Sequence, residues 1–534
     1  MSDSVQISTS NTRVQKNRFR LLLPFFSRSK RNMTIGVCSL LHISLSEPHE
    51  FKEIRIEVDN AIREEALTPL WPKQGKHKAF VAVFHLNYRI DELLNLTIHN
   101  KIRARIGHQD NEGYVSRPIT YSVFLRRYCA AHSPMLRDRT NGITAFYRQT
   151  VGRSIILTVR HDNVTDRASA KLKLRLAWLV SKLPVSKRPI LLYEKDGRHY
   201  EESARVVFEA LIDQGHDDVF FVAPRNLFEV APKYLDHFIE PHTFKHYLAF
   251  FRCRTFLGTE AMSHCLELRC QSYLVQHKLK DSKNSYVFLQ HGVMYMISLD
   301  SPQRTSFRRK AMPPQTKIVV SSHMEARHFT EFADFANEDL IVCGLPKFDR
   351  SYAYPDADKI LIMPTWRPWE FNAARSNPES TAYFQMIQRI VDAIPQELSD
   401  KIIVAPHPLF NMATFGSNSS DPIGSYDELL RSVRVLITDY SSISYDAFYR
   451  GSNVIFYWEE LEDCLEQYGE PTHLMLTEDL AFGPVCHTPS ELRDAMPAAY
   501  ARPQSEDHKQ KYRHLVEFHD GRNTERLLKE LKFN

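Results

Sequence analysis

VRVLITDYSSISYDAFYRG, residues 433–451, is the stretch that decides the fold of this chain. The apolar run 433–437 is typical of a buried strand, and a helical pattern begins directly after Ser441 and Ser442. The first amides of a helix lack intrahelical partners, and the helix dipole adds positive potential there. Both serines can also cap a helix and donate to phosphate oxygens. The stretch therefore predicts either a phosphate site or a well-capped helix alone.

Three other apolar runs end in polar side chains of useful chemistry. YVFLQHG (286–292) ends at His291, ILIMPTWR (360–367) at Arg367, and IIVAPHP (402–408) near His407. Ligands of open α/β sheets bind outside the carboxyl ends of the parallel strands. Two imidazoles, a guanidinium and a helix N-terminus at such ends suit a di-anionic phosphate ligand.

From residue 187 the chain alternates between strand-like and helix-like segments, which is typical of parallel sheets with right-handed crossovers. A Pro-, Gly- and Asp-rich segment, 344–359, separates two such sets. We therefore predict two doubly wound α/β domains, 187–355 and 356–534, with a cleft between them.

The earlier part of the chain has a different pattern. Short alternating or β-branched segments in 33–166 predict an all-β, sandwich-like accessory domain. Residues 1–32 form a basic tail, predicted to be disordered or to touch a membrane. Residues 167–186 predict an amphipathic helix that either lies on an anionic membrane or packs its leucines on a neighbouring domain. Its apolar and basic positions are Leu172, Leu176, Leu179, Leu183, Lys171, Lys173, Arg175 and Lys182.

Bulk composition excludes several classes of protein. The 534 residues carry a net charge of only +5, far from the strongly basic surface of a nucleic-acid-binding protein. No apolar stretch approaches the roughly 20 residues that span a bilayer. The eight cysteines lack CxxC spacing, which favours reduced thiols over disulfides or a zinc site. We expect no metal and no cofactor.

The ordered motifs LQHG, VCGLPKFDR, ILIMPTWR, APHP and LITDYSSISYDAFYRGSNVIFY resemble those of the CDP-glycerol glycerophosphotransferases, the teichoic-acid primases, polymerases and related capsule enzymes. The resemblance covers roughly 187–500. It implies a GT-B fold, that is, two Rossmann-like domains with the active site in their cleft. It also implies peripheral attachment to the cytoplasmic face of the cell membrane.

The resemblance further implies transfer of glycerol phosphate from CDP-glycerol to a hydroxyl of a lipid-linked polymer acceptor, with release of CMP. His291 is similar in position to the general base of the family. Arg367, His407, Ser441 and Ser442 are the candidates for binding the CDP pyrophosphate. The structural alternatives are a histidine bonded to a backbone carbonyl for His291, a salt bridge for Arg367 and a turn residue for His407.

The chain departs from the family pattern in two places. A Thr and a Lys often follow the His-Gly pair, whereas this chain has Val293-Met294-Tyr295-Met296. After VIFYW stand Glu459 and Glu460, where the family tends to have an Asp and a Tyr near the ribose or polyol. The two glutamates either substitute for those residues or form a solvated acidic face.

Two further hypotheses stay open. In the first, which these departures allow, the donor is CDP-ribitol or a nucleotide sugar. In the second, the chain is a catalytically inactive scaffold that recruits cell-envelope enzymes through the β domain. The sequence leaves the oligomeric state, including a homo-oligomer, open.

Overall fold

The computed structural model describes the backbone of 155–406, 410 and 426–533, and, before these, 22–28, 33–44, 54–58, 77–88, 101–102, 104–110, 113–118, 135–138 and 141–149. It describes the side chains of 141–146, 158–406 except 372, 410 and 426–533. The chain forms two compact units, residues 1–167 with 271–276, and residues 168–270 with 277–534.

In the described part of the first unit, ten strands form three antiparallel sheets, with orders β1-β2-β4, β3-β6-β7 and β5-β10-β9-β8. One of these strands, β1, falls inside the predicted basic tail 1–32. The sandwich-like accessory domain stays a prediction. The strands are β1 (Leu22–Arg28), β2 (Met33–Ser44), β3 (Ile54–Val58), β4 (His77–Tyr88), β5 (Lys101–Ile102), β6 (Ala104–Asp110), β7 (Gly113–Pro118), β8 (Met135–Asp138), β9 (Ile143–Gln149) and β10 (Ile155–His161).

The first half of the second unit is a seven-stranded parallel sheet in the order β13-β12-β11-β14-β15-β16-β17. Its central strands are buried on both faces because helices cover them, which explains their apolar sequences. Its strands are β11 (Ile190–Tyr193), β12 (Val219–Val222), β13 (Phe238–Ile239), β14 (Thr255–Gly258), β15 (Ser285–Phe288), β16 (Gln315–Val320) and β17 (Leu340–Val342). Its helices are α1 (Ala168–Val180), α2 (Glu202–Asp213), α3 (Phe244–Arg252), α4 (Tyr273–Leu279) and α5 (His323–Ala333).

The second half is a five-stranded parallel sheet in the order β19-β18-β20-β21-β22. Its strands are β18 (Lys359–Ile362), β19 (Ile402–Val404), β20 (Val433–Thr438), β21 (Asn453–Tyr457) and β22 (Val485–Cys486). Its helices are α6 (Phe371–Ser376), α7 (Ala382–Ala393), α8 (Tyr426–Arg431), α9 (Ile443–Tyr449), α10 (Leu461–Tyr468), α11 (Pro489–Ala501), α12 (Glu506–Leu515) and α13 (Asn523–Glu530). The predicted alternation of strands and helices from residue 187 is confirmed.

Each parallel sheet contains a point at which the strand order reverses. In the first sheet the chain moves outward from β11 to β12 and then returns to β14 on the other side of β11. In the second sheet β19 and β20 likewise flank β18. Ligand crevices of α/β sheets open at such switch points, outside the carboxyl ends of the strands. The topology therefore indicates a crevice beside Glu194 and Thr259, and another beside Thr365 and Asp439.

The C-terminal helices return to the first half. The backbone amide of Glu517, after α12, donates to the Ser321 carbonyl at 3.0 Å. The carboxylate of Asp349, in the turn after β17, accepts from the amides of Asn523 and Thr524 at 2.9 and 2.8 Å. The last helix is thus capped by a residue of the segment that joins the two halves.

Helix α1 lies at the start of the second unit and confirms the predicted helix in 167–186. Its buried residues are Ala170, Leu174 and Ala177. The outward-facing leucines are Leu172, Leu176, Leu179 and, just beyond the helix, Leu183, which are 57%, 45%, 56% and 60% exposed. Within the part of the chain that the structure describes, no helix is long and apolar enough to cross a bilayer.

Candidate active site

His291 lies at the carboxyl end of β15, and its side chain is exposed. The imidazole Nδ1 is 3.4 Å from the Thr259 carbonyl oxygen at the end of the neighbouring strand, which is a long distance for a hydrogen bond. This contact favours a proton on Nδ1 and leaves Nε2 to accept one. The arrangement suits a general base, and it also contains the backbone carbonyl of the structural alternative.

The loop that carries His291 is held by a buried carboxylate that the sequence reasoning missed. Glu325, in the first turn of α5, accepts from the Gln290 side chain at 3.2 Å and from the Met294 amide at 2.6 Å. Its second oxygen accepts from the amide and hydroxyl of Ser321 at 2.6 and 2.7 Å. Burial raises the pKa of Glu325, although these hydrogen bonds oppose the shift. The carboxyl group therefore holds the Gln290 side chain on one side of His291 and the Met294 backbone on the other.

Ser441 and Ser442 lie where β20 passes into α9, as predicted, but neither is a strong cap. Ser442 occupies the N-cap position without a capping hydrogen bond from its side chain. The Ser441 hydroxyl accepts from the Ile443 amide at a long 3.4 Å. Both residues are partly exposed. The two hydroxyls therefore keep capacity for a ligand.

The two strand ends meet at Gly292. A Cβ atom built on Gly292 would lie 2.9 Å from the hydroxyl oxygen of Ser442 and 3.3 Å from its Cβ, so the two loops approach each other closely here. His291 and Ser442, from opposite halves of the unit, are therefore brought to one place.

A buried lysine spans the same junction. Lys347 lies in the 3₁₀ turn Pro346–Arg350, and its side chain is 8% exposed. Its Nζ donates to the His291 carbonyl oxygen and pairs with Asp446 of α9, both at 2.6 Å. Glu202 is 3.9 Å away. Burial lowers the pKa of Lys347, but its attraction to Asp446 and Glu202 outweighs this effect and raises the pKa.

Glu202 borders this junction at the start of α2. About a third of its side chain is exposed, but Oε2 is buried and has no hydrogen-bond partner among the described residues. Burial raises the pKa of Glu202 to about 7, with Lys347 opposing and Asp446 reinforcing the shift. Its backbone adopts φ 52°, in the left-handed region. Such strain is often found at functional sites.

Arg367 lies at the predicted strand end but points into the protein. Its guanidinium is 1% exposed and pairs with Asp439 at 2.8 Å. It also donates to the Thr365 carbonyl, and its Nε lies 3.3 Å from Glu460. The contact of Arg367 with pyrophosphate stays a prediction, and these contacts favour a positioning role.

Asp439 connects the buried arginine to the loop that carries the serines. Its Oδ1 accepts from the amides of Thr365 and Tyr440 at 2.8 and 2.6 Å. One carboxylate thereby fixes the tips of two adjacent strands, β18 and β20. The loop before Ser441 is held in place by Arg367 through Asp439.

Glu459 and Glu460 are partly buried in ion pairs, which differs from a solvated acidic face. Arg389 lies 2.9 Å from Glu459 and 3.5 Å from Glu460. Burial raises the pKa of Glu460, although Arg367 opposes the shift. Contact with a ribose or polyol stays a prediction for both residues.

The remaining candidate, His407, lies outside the described residues. Across the side chains that the structure describes, no group of three or more His, Cys, Asp or Glu residues could hold a metal ion.

The sequence contained signals for two of the residues that were missed. Glu325 follows Ser322 with the S-x-x-E spacing of a capping box, and the Ser322 hydroxyl accepts from the Glu325 amide at 3.0 Å. Lys347 stands inside VCGLPKFDR, one of the motifs that resemble the family, although this motif overlaps the segment 344–359 predicted to separate the two domains. Neither pattern indicates that the side chain contacts the loop of His291.

Two curated proteins match parts of this chain in sequence. The minor teichoic acid biosynthesis protein GgaB of Bacillus subtilis is 23% identical over 39% of this chain and 24% of its own length. The teichoic acid poly(ribitol-phosphate) polymerase of Bacillus spizizenii is 26% identical over 28% of each chain. The matched regions thus span about a quarter of either relative's length.

A solved structure of the wall teichoic acid polymerase TagF resembles this chain in fold. It matches with a TM-score of 0.51 and 16% identity over 70% of this chain and 94% of that one. The family model for CDP-glycerol:poly(glycerophosphate) glycerophosphotransferases matches residues 175–532, which include both parallel sheets. The chain belongs to this family of glycerophosphotransferases.

Proposed function

We propose that the chain transfers glycerol phosphate from CDP-glycerol to a hydroxyl of a lipid-linked acceptor and releases CMP, in the synthesis of a teichoic-acid-like or capsular polymer. Membership of the glycerophosphotransferase family supports the reaction class. The observation that carries the proposal is the approach of Gly292 to Ser442. In this approach the residue that follows His291 lies close to the Ser442 side chain, at the carboxyl ends of two parallel sheets.

The proposed step uses these groups in separate roles. His291 Nε2 accepts the proton of the acceptor hydroxyl, and the hydroxyl oxygen bonds to the phosphorus that carries glycerol. The bond from that phosphorus to the bridging oxygen breaks, and CMP leaves with this oxygen. Phosphoryl transfer depends mostly on positioning and electrostatic stabilisation, which we assign to Ser441, Ser442, the amides of α9 and His407. Arg367 holds the loop that carries Ser441 and Ser442 in place through its ion pair with Asp439.

One finding favours a related donor as the second candidate. The Bacillus spizizenii relative is named as a poly(ribitol-phosphate) polymerase, so CDP-ribitol belongs in the same assay. A nucleotide sugar is the remaining donor that the parallel-sheet pair suits. Glu459 and Glu460 are the candidates for contact with the polyol, because they border the crevice beside Asp439.

The exposed face of α1 supports attachment to the cytoplasmic face of the membrane. Leu172, Leu176 and Leu179 face outward from a helix that also carries Lys171, Lys173 and Arg175. An amphipathic helix of this kind binds an anionic surface through apolar insertion and charge. A membrane-bound enzyme would meet a lipid-linked acceptor at that surface.

The direct test measures nucleotide release in the presence of a lipid-like acceptor: CMP from CDP-glycerol and CDP-ribitol, and the uridine nucleotide from a panel of UDP-sugars. We expect release from a CDP-polyol, and a loss of about a hundredfold or more in His291→Ala, since general bases contribute about that much. His323→Ala is the matched control, because His323 is also exposed and its imidazole pairs with Glu517 rather than with a residue of the junction.

Each alternative gives a different result in this assay. Unchanged release in His291→Ala would keep the donor class and remove the proposed base. Release from a UDP-sugar alone would replace the donor class. A wild-type chain that releases no nucleotide from any donor would favour the inactive scaffold.

A further inference from the structure

Lys347 makes contacts that the proposed chemistry does not yet use. Its single ammonium group joins the carbonyl of His291, in the first half, to the carboxylate of Asp446, in the second. Asp446 lies one helical turn beyond Ser442, on the helix that follows the serine loop. Lys347 itself belongs to the turn that leads from one half to the other.

A buried lysine in such a place requires a reason, because removing an ammonium from water is costly unless it is paired and hydrogen-bonded. The side chains of Lys347 and Asp446 are 8% and 6% exposed. The lysine has three donors, and the carbonyl of His291 and the carboxylate of Asp446 take two of them. The third faces Glu202 at 3.9 Å, across the edge of the crevice.

Lys347 contacts the backbone carbonyl of His291, so the imidazole stays available to accept a proton. The backbone determines the direction in which a side chain leaves it, so holding the His291 carbonyl helps to fix the direction of the exposed imidazole. Glu325 holds the flanking positions 290 and 294 from within the first half. The Tyr445 hydroxyl of α9 donates to the carbonyl of Tyr295 farther along the loop, whereas the ammonium of Lys347 contacts His291 itself.

We propose that Lys347 is a positioning residue that aligns His291 with the donor phosphate by tying the His291 carbonyl to Asp446. This inference rests on the proposed function. Lys347 does not touch substrate in it; the residue acts through His291. A misplacement of about 1 Å at a reacting group can cost about a hundredfold in rate.

The test compares the kinetics of CMP release by the full chain and by Lys347→Met. We expect kcat to fall by about 10- to 100-fold while KM for CDP-glycerol changes less than about twofold. Lys347→Arg keeps the charge and the donors and should recover most of kcat. Because Lys347→Met leaves the buried Asp446 with only the more distant Arg450, 3.7 Å away, Lys347→Met/Asp446→Asn is the second variant if the first does not fold.

A double-mutant cycle with His291 distinguishes positioning from a structural effect. If Lys347 acts through His291, adding Lys347→Met to the His291→Ala variant should lower the single-turnover rate by less than about a further twofold. Lys278→Met is the matched control. Lys278 is also buried and bonded to a backbone carbonyl, that of Cys253, but it lies at the amino edge of the same sheet. We expect Lys278→Met to lower the melting temperature and leave kcat within about twofold.

The outcomes separate the inference from the proposed function. If the wild type is active and Lys347→Met has an unchanged kcat, the inference alone is overturned. It is also overturned if the rate losses of Lys347→Met and His291→Ala multiply in the double variant. A raised KM at constant kcat assigns Lys347 to substrate binding and also overturns it. An inactive wild type overturns the proposed function first.

Discussion

The pair formed by Arg367 and Asp439 illustrates how one residue can matter to a site without touching its ligand. Both side chains are 1% exposed. Burial lowers the pKa of Arg367, but the attraction of Asp439 outweighs this effect and keeps the guanidinium charged. The charged pair holds the strand tips that precede Trp366 and Ser441.

We predict that Arg367→Met lowers the free energy of unfolding by about 3 to 5 kcal/mol, because it leaves the Asp439 carboxylate buried without its cation. Denaturant unfolding measures this loss. Arg389→Met is the control: the ion pair of Arg389 with Glu459 is 37% and 24% exposed, and we expect a loss below about 1 kcal/mol. Equal losses in the two variants, together with weaker CDP binding in Arg367→Met alone, would instead favour direct contact with pyrophosphate.

Residue positions could be predicted from the sequence more reliably than side-chain directions. An apolar run followed by a polar residue places His291, Arg367 and Ser441 at strand ends, where the structure has them. The run does not indicate that Arg367 turns inward, because its partner Asp439 is 72 residues away along the chain. The contact of Lys347 with His291 could not be predicted for the same reason, because 56 residues separate the two along the chain.

Among the elements, helix α1 presents the clearest contrast between pattern and packing. Its periodicity predicted a helix and one leucine face, and it left open what that face contacts. The small residues Ala170 and Ala177, with Leu174, form the buried side. The leucine face at Leu172, Leu176 and Leu179 is exposed. Periodicity alone could not resolve this, because two apolar arcs share the helix and only tertiary contacts select between them.

We predict that Leu172→Gln/Leu176→Gln/Leu179→Gln weakens binding of the full chain to anionic phospholipid vesicles by at least about tenfold, because each leucine loses apolar burial in the membrane interface. Vesicle sedimentation measures the binding. Leu227→Gln/Leu235→Gln is the control, since both leucines are exposed away from α1. Unchanged sedimentation of the triple variant would show that α1 is not the attachment site.

At the scale of the whole second unit, the two halves are joined by more than their connecting segment. Helix α13, the last in the chain, docks on the turn after β17, where Asp349 caps its first amides. Gly344 makes the docking possible: its φ is 84°, and a Cβ there would lie 2.3 Å from the Asn523 side-chain oxygen. The return of the chain to its first half could not be predicted in detail, because a capping carboxylate and its helix lie 174 residues apart.

We predict that Gly344→Ala undocks the start of α13 as well as straining the backbone, and that Gly451→Ala only strains the backbone. Gly451 also has a positive φ, 103°, but nothing lies within 4 Å of its Cβ position. A left-handed alanine costs about 1 to 2 kcal/mol, so both variants should lose about that much stability and Gly344→Ala more.

Hydrogen exchange supplies the specific readout, because the amides of Asn523 and Thr524 lose their Asp349 acceptor only if α13 moves. Faster exchange at these two amides in Gly344→Ala, with protection retained in Gly451→Ala, is the expected result. Equal protection in both variants would mean that α13 holds its place without the close approach at Gly344.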